Sequence, residues 1–192
     1  MAIKSLFPRQ NKVVIDTETS DVTNGFSEQY IPIVEIFWME DGKMKSTPTH
    51  YIFQDIKVVL FAVKGAFNAM CEKQLLEFEA KVDEFKALGI DEVYCCIVND
   101  KNVVDAWAEK LGIKKVKFLI DGNGFFTDSV GMSLSMRNWG MLNRSARYVS
   151  YIDNGMFKWF EQDDKSDDSI EDEYIKPTPE VALNYLKRTL TS

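Results

Sequence analysis

Apolar positions along the chain form short dense runs, separated by stretches of helical spacing. Val58 to Val63 is an unbroken apolar run, short enough for a strand buried on both faces. Val93 to Val98 and Val116 to Ile120 predict two more buried strands. Between the first two, Leu75, Phe78, Val82 and Phe85 recur at intervals of three, four and three, which predicts an amphipathic helix. Ala87-Leu88-Gly89 closes it with a C-terminal glycine. Between the second and third, Asn99-Asp100 predicts an N-cap. The helix after it carries Val103, Val104, Trp107 and Leu111 and is closed by Gly112.

The flanks are patterned differently. Ile31 to Met39 predicts a strand, Glu40-Asp41-Gly42-Lys43 a turn, and Tyr51-Ile52-Phe53 the returning strand of a hairpin that Pro48 makes irregular. Asp121-Gly122-Asn123-Gly124 is a turn sequence. Arg147 to Ile152 and Met156 to Phe160 flank Asp153-Asn154-Gly155, whose Asn-Gly step is the strongest short hairpin signal. Glu161 to Glu173 is strongly acidic and predicts a solvated loop. Pro177-Thr178-Pro179 then introduces a last helix with Val181, Tyr185 and Leu186 on one face. Strands alternating with helices imply right-handed crossovers and a parallel centre, to which the late hairpin adds antiparallel strands. The result is an α/β protein of thioredoxin-like fold, a central mixed β-sheet flanked by helices. Residues 1–30 are polar and irregular and are expected to be an N-terminal extension to one domain over residues 31–192.

Composition narrows the function classes. At 192 residues and 45% hydrophobic, the chain suits one domain with a sizeable core. A net charge of −7 without a basic cluster argues against a nucleic-acid or anionic-membrane partner. No apolar run reaches the length of a membrane span, and the N-terminus lacks a secretory signal. Three cysteines, two of them adjacent, make no disulfide framework, so a reducing, cytoplasmic location is expected.

Cys71 is the residue with chemistry to offer. Counting back four from Leu75 lands on it, so it lies on the inward face of the predicted helix near its first turn. Unpaired N–H groups and the helix dipole converge there and favour a thiolate, with a pKa below the ordinary thiol value. Cys95 and Cys96 lie on a strand, one to each side of the sheet, and are expected to be packing residues. His50 is the single histidine and has no partner ligand near it in sequence, so no metal and no cofactor are expected. Trp107 and Trp139 are expected as core or interface anchors.

Four blocks in register give the chain a resemblance to a known family. They are V-K-G-A-F-N-A-M-C ending at Cys71, V-Y-C-C-I-V-N-D-K-N-V-V-D-A-W-A, K-F-L-I-D-G-N-G-F-F-T and N-R-S-A-R-Y-V-S-Y-I-D-N-G. Together they resemble the type II, or peroxiredoxin-5-like, branch of the peroxiredoxins from about Val58 to Phe160. The resemblance implies a thiol peroxidase acting on hydrogen peroxide or small organic hydroperoxides. It assigns Cys71 as the peroxidatic nucleophile and Arg147 as its electrostatic partner. In the family motif P-x-x-x-T-x-x-C, Lys64 stands where proline belongs and Asn68 where threonine belongs. Asn68 is therefore expected as an altered peroxide-orienting group, with Lys64, Gly65, Phe67 and Arg144 lining the substrate pocket. No cysteine follows Cys96, so one protein cysteine is expected, recycled by glutathione, glutaredoxin or thioredoxin. A homodimer is implied, with Phe67 and Trp139-Gly140-Met141 as apolar contacts. The two departures leave an alternative: a weakened scaffold serving redox sensing or protein binding.

Overall fold

The computed structural model describes residues 28–163 and 174–190. Among the described residues, ten strands and five α-helices follow one another. The main sheet holds β1 (Gln29–Tyr30), β4 (Lys57–Val63), β5 (Glu92–Ile97), β6 (Lys117–Ile120), β9 (Tyr148–Asp153) and β10 (Met156–Gln162), in the order β1-β10-β9-β4-β5-β6. β4, β5 and β6 are parallel, whereas β9 runs antiparallel to β4 and β10 to β9. Two small hairpins stand apart from this sheet, β2 (Glu35–Glu40) with β3 (Lys43–Pro48), and β7 (Ser133–Met136) with β8 (Met141–Ser145).

Side-chain alternation along β4 divides the core in two. Val59, Phe61 and Val63 point to one face, where α2 (Ala69–Ala87), α3 (Lys101–Leu111) and α5 (Pro179–Leu190) cover them. Val58, Leu60 and Ala62 point to the other, under α1 (Thr49–Phe53) and α4 (Phe125–Ser129). Cys95 belongs to the first cluster and Cys96 to the second, as the period of two requires. Phe78 of α2 stacks on Phe61 with ring centroids 4.0 Å apart, which fixes the helix over the middle of β4.

The structure departs from the sequence pattern in several places. Tyr51-Ile52-Phe53 is not the second strand of the early hairpin. That strand is β3, and Thr49–Phe53 turns into the short helix α1, which buries Phe53 against Phe126 and Tyr94. Pro48 ends the strand and Thr49 receives the chain, its hydroxyl donating to the Pro32 carbonyl at 2.6 Å. Gln29 and Tyr30, within the expected extension, pair with Phe157 and Met156 at the sheet edge. Helix α4 and the β7–β8 hairpin had no expectation at all. The loop at 17–25 and most of the acidic stretch, residues 164–173, lie outside the described residues. The late hairpin turns as its Asn-Gly step demands, with φ of 46° at Asn154 and 72° at Gly155.

Candidate active site

The site forms where the C-terminal end of β4 meets the N-terminus of α2. Lys64 to Asn68 makes the connection, and Phe67 takes a left-handed φ of 61° to reverse the chain. That conformation is costly for an aromatic residue. Lys110 of α3 holds the exposed Phe67 ring, its ammonium 5.4 Å from the ring centroid, and is itself paired with Glu72 at 2.8 Å. Asn99 anchors the same loop from the end of β5, its Oδ1 accepting the Ala66 N–H at 3.1 Å. The expected capping role falls to Asp100 alone, which accepts from Val103 N–H at 3.1 Å.

Asn68 is the N-cap of α2, and its Oδ1 accepts the backbone N–H of Cys71 at 3.0 Å. Cys71 is thereby placed in the first turn, facing inward and fully buried. Arg147 comes from the strand on the other side of β4. Tyr148 is the register partner of Ala62, so the residue before it emerges beside the end of β4 and reaches under the helix start. Arg147 Nη1 donates to Cys71 Sγ at 3.1 Å and to Gln74 Oε1 at 3.2 Å, and Nη2 donates to Asn68 Oδ1 at 3.4 Å. Arg147 as a whole is only 2% exposed. Both groups that reach Asn68 Oδ1 are donors, so the side-chain oxygen must face inward and the NH₂ outward.

A buried thiol beside a buried guanidinium is a charge-assisted pair once the thiol ionises. The helix N-terminus adds to the same stabilisation. The other cysteines lie in the opposite kind of environment. Burial, the main cause, and the neighbouring thiols push Cys95 well up. Burial and the Asp121 carboxylate push Cys96 up. The structure therefore brings together Cys71, Asn68 and Arg147. Gly65 is packed nearby, where an added Cβ would lie 3.6 Å from both Arg144 Nε and Asn99 Oδ1. Lys64 is half-buried and Phe67 exposed on the rim of the same loop. Arg144 is set back, its Nη1 donating to the Asn143 carbonyl at 2.7 Å. His50 sits in α1, on the opposite face of the sheet, its ring 4.0 Å from that of Tyr51. Gln74 and Asn99 were missed by the sequence argument. Gln74 carried a usable signal, since it is a polar residue on the face that Cys71, Leu75 and Phe78 occupy.

Residues 29–174 match the Redoxin family. The chain is 37% identical over 171 residues to a peroxiredoxin from Rhizobium etli, an alignment covering 83% of this chain and 96% of that protein. The chain belongs to the peroxiredoxin family. Another relative is a peroxiredoxin of Sinorhizobium fredii, 39% identical over 141 residues, which are 72% of this chain and 75% of that one. Among solved structures, the Plasmodium falciparum antioxidant protein, described as a 1-Cys peroxiredoxin, superposes with a TM-score of 0.79 at 30% identity, covering 85% of this chain and 99% of that one. Reduced Prx3 from Vibrio vulnificus in complex with hydrogen peroxide gives 0.74 at 28% identity, covering 82% and 96%. This peroxiredoxin is thus a thiol-dependent peroxidase with a thioredoxin-like α/β fold.

Proposed function

We propose that this peroxiredoxin reduces hydrogen peroxide or small organic hydroperoxides with Cys71 as nucleophile, Arg147 as its electrostatic partner and Asn68 as the group that orients the peroxide. The observation that carries the reading is the 3.1 Å contact between Arg147 Nη1 and Cys71 Sγ, buried at a helix N-terminus. In the reaction the Cys71 thiolate attacks the terminal oxygen of the hydroperoxide in line with the O–O bond. An S–O bond forms and the O–O bond breaks. The electron pair leaves on the distal oxygen, which takes a proton to become water or an alcohol. The sulfur is oxidised to sulfenic acid. Charge moves from sulfur to the departing oxygen, and a fixed guanidinium beside both is the kind of preorganised donor that lowers such a barrier. The Asn68 oxygen is already committed to the helix cap and Arg147. Its outward NH₂ is the part free to donate to a peroxide oxygen.

One protein cysteine does this work, and the sulfenic acid is returned to thiol by an external thiol from glutathione, glutaredoxin or thioredoxin. The first thiol forms a mixed disulfide and releases water; a second thiol reduces that disulfide. Three free cysteines suit a reducing compartment such as the cytoplasm. Lys64 and Phe67 on the rim of the loop, with Gly65 and Arg144 behind them, are the substrate-binding residues of this reading, and two copies pair through Phe67 and the Trp139 turn, which are 53% and 48% exposed. Light scattering at high micromolar concentration should give the mass of a dimer; a monomer there removes the pairing from the proposal.

The test of the chemistry is single-turnover trapping. Dimedone should label Cys71 after one equivalent of peroxide, and Cys71→Ser should show no adduct anywhere. An adduct without turnover would identify a missing reductant. No adduct at any peroxide concentration would overturn the peroxidatic assignment and favour a sensing or binding role.

A further inference from the structure

The turn that carries Cys71 is gripped from outside by one side chain, that of Lys110 in the last turn of α3. Its ammonium lies 5.4 Å from the centroid of the Phe67 ring and 2.8 Å from Glu72 Oε1. Phe67 precedes the nucleophile and Glu72 follows it directly, so the two contacts fall on either side of Cys71. Phe67 holds a left-handed φ of 61°, which a bulky side chain keeps only where its surroundings impose it. Glu72 stands in the first turn of α2, where the helix terminus favours an anion. The Cys71 thiolate draws on the same terminus, and a carboxylate on the next residue repels it. Lys110 hydrogen-bonds Glu72 and lowers its carboxyl pKa, so the pair is charged at neutral pH. Other ionisable groups near Cys71 include Arg147 on β9 and Cys95 on β5, whose thiol burial pushes well up. Tyr174, ahead of α5, lies near Arg147, and burial raises its hydroxyl pKa likewise.

Resting on the peroxidase reading above, we propose that Lys110 is a positioning residue of the peroxidatic turn: by bridging Phe67 and Glu72 it holds the loop before α2 in its folded course and offsets the carboxylate beside the Cys71 thiolate. It does so without touching the sulfur. Each charge of the pair sits at the helix end that favours it, the cation in the last turn of α3 and the anion in the first turn of α2. Either contact alone is weak, because the Lys110 side chain is 55% exposed. The two share one ammonium, however, and both form only when the ring and the carboxylate stand in their folded places. Lys110 therefore acts on the local order of the turn and on the charge beside the sulfur, with little effect on the stability of the whole domain. It falls two residues beyond the V-V-D-A-W-A block, so the family resemblance assigned it nothing.

The test reads order, charge and rate separately. Lys110→Met keeps the length of the side chain and its packing on the Phe67 ring but loses the cation. Amide hydrogen exchange over a peptide spanning Lys64 to Glu72, read by mass spectrometry, should quicken by about threefold, while peptides of β4 and β5 stay as in the wild type. The midpoint of iodoacetamide alkylation of Cys71 should rise by about half a pH unit, because the Glu72 carboxylate is left uncompensated. Sulfenic acid formation with hydrogen peroxide should slow by about three- to fivefold. Lys110→Arg makes both contacts and should return all three readings to near the wild type. Glu72→Gln separates charge from position: exchange of the same peptide should quicken, while the midpoint falls. Unchanged exchange in Lys110→Met and Glu72→Gln overturns the positioning role, and an unchanged midpoint in Lys110→Met overturns the electrostatic one. Failure of Lys110→Arg to restore the readings overturns the inference as a whole. A wild type that forms no sulfenic acid would instead overturn the peroxidase assignment of Cys71, and exchange and alkylation would still judge Lys110.

Discussion

Cys71 and Cys96 are equally buried, and the sheet separates their surroundings into two opposite electrostatic regions. On the α2 side, Cys71 meets the Arg147 guanidinium and the N-terminus of a helix. On the α4 side, Cys96 meets the Thr127 hydroxyl at 4.0 Å, and the Asp121 carboxylate raises its pKa further above what burial does. Burial penalises a thiolate in both places. A fixed cation opposes that penalty on one side, and a fixed anion adds to it on the other. Neither sulfur is exposed, so access does not distinguish the two cysteines, whereas the sign of the partner charge does.

Removing the nucleophile gives the largest expected effect. Cys71→Ser should abolish peroxide consumption, while Cys96→Ser and Cys95→Ser should leave it within about twofold once their folding is matched. Loss of activity in a folded Cys96→Ser would erase the contrast between the two regions. Next comes the charge. Arg147→Met should lower the second-order rate with peroxide by roughly a hundred- to a thousandfold, the usual consequence of deleting one preorganised donor. Stopped-flow kinetics would show it, and a rate within threefold of wild type would mean that the helix terminus alone activates Cys71. Third is the labelling order. Iodoacetamide at neutral pH should modify Cys71 ahead of Cys95 and Cys96 by more than about tenfold, the latter two reacting only after denaturant is added.

A smaller effect distinguishes cap from catalyst at Asn68. Asn68→Ala should cost about 1 kcal/mol in urea unfolding through loss of the cap, and should also slow sulfenic acid formation. Asn68→Thr keeps a capping oxygen and restores the hydroxyl of the related motif, so it should fold normally and react faster with peroxide than the wild type. Faster reaction of Asn68→Ala would remove Asn68 from the peroxide site. The smallest effect lies on the Cys96 side. Burial raises the Asp121 pKa above its ordinary 3.8, so the folded state holds that proton to higher pH than the unfolded one. Its contribution to stability is full below about pH 4 and should decline as pH rises through the folded value. In Asp121→Asn that part of the decline should vanish from urea titrations across pH 4 to 6, and an unchanged slope would place its origin in another carboxyl group.

The alternating and helical periods along the chain were enough to locate β4, α2, β5, α3 and β6, because each is buried on a predictable face and its neighbours in sequence are its neighbours in space. The same counting placed Cys71 in the first turn of α2. Helix α1 was misjudged because a five-residue segment spans little more than one helical turn and repeats no period, and Tyr51-Ile52-Phe53 suits a strand by composition. The β7–β8 hairpin escaped for a related reason: its exposed and half-buried residues carry little alternation.

Gln74 and Asn99 show the limit from another side. Nothing in the local pattern says that Gln74 is held by Pro177, or that Asn99 holds Ala66, because both bonds join segments distant in the chain. By itself the sequence determined the buried faces of β4, β5, β6, α2 and α3, where α2 and α3 begin, and that a thiol stands at one of those beginnings. Those properties follow from local periodicity and capping, which act over a few residues. Local pattern gave no charge beside either cysteine: Arg147 was matched to Cys71 only through the family resemblance, and the contacts themselves were set when β9 paired with β4 and α4 packed on the far face. Electrostatic partners are chosen by distance in space, and the sheet register, a long-range property, sets that distance.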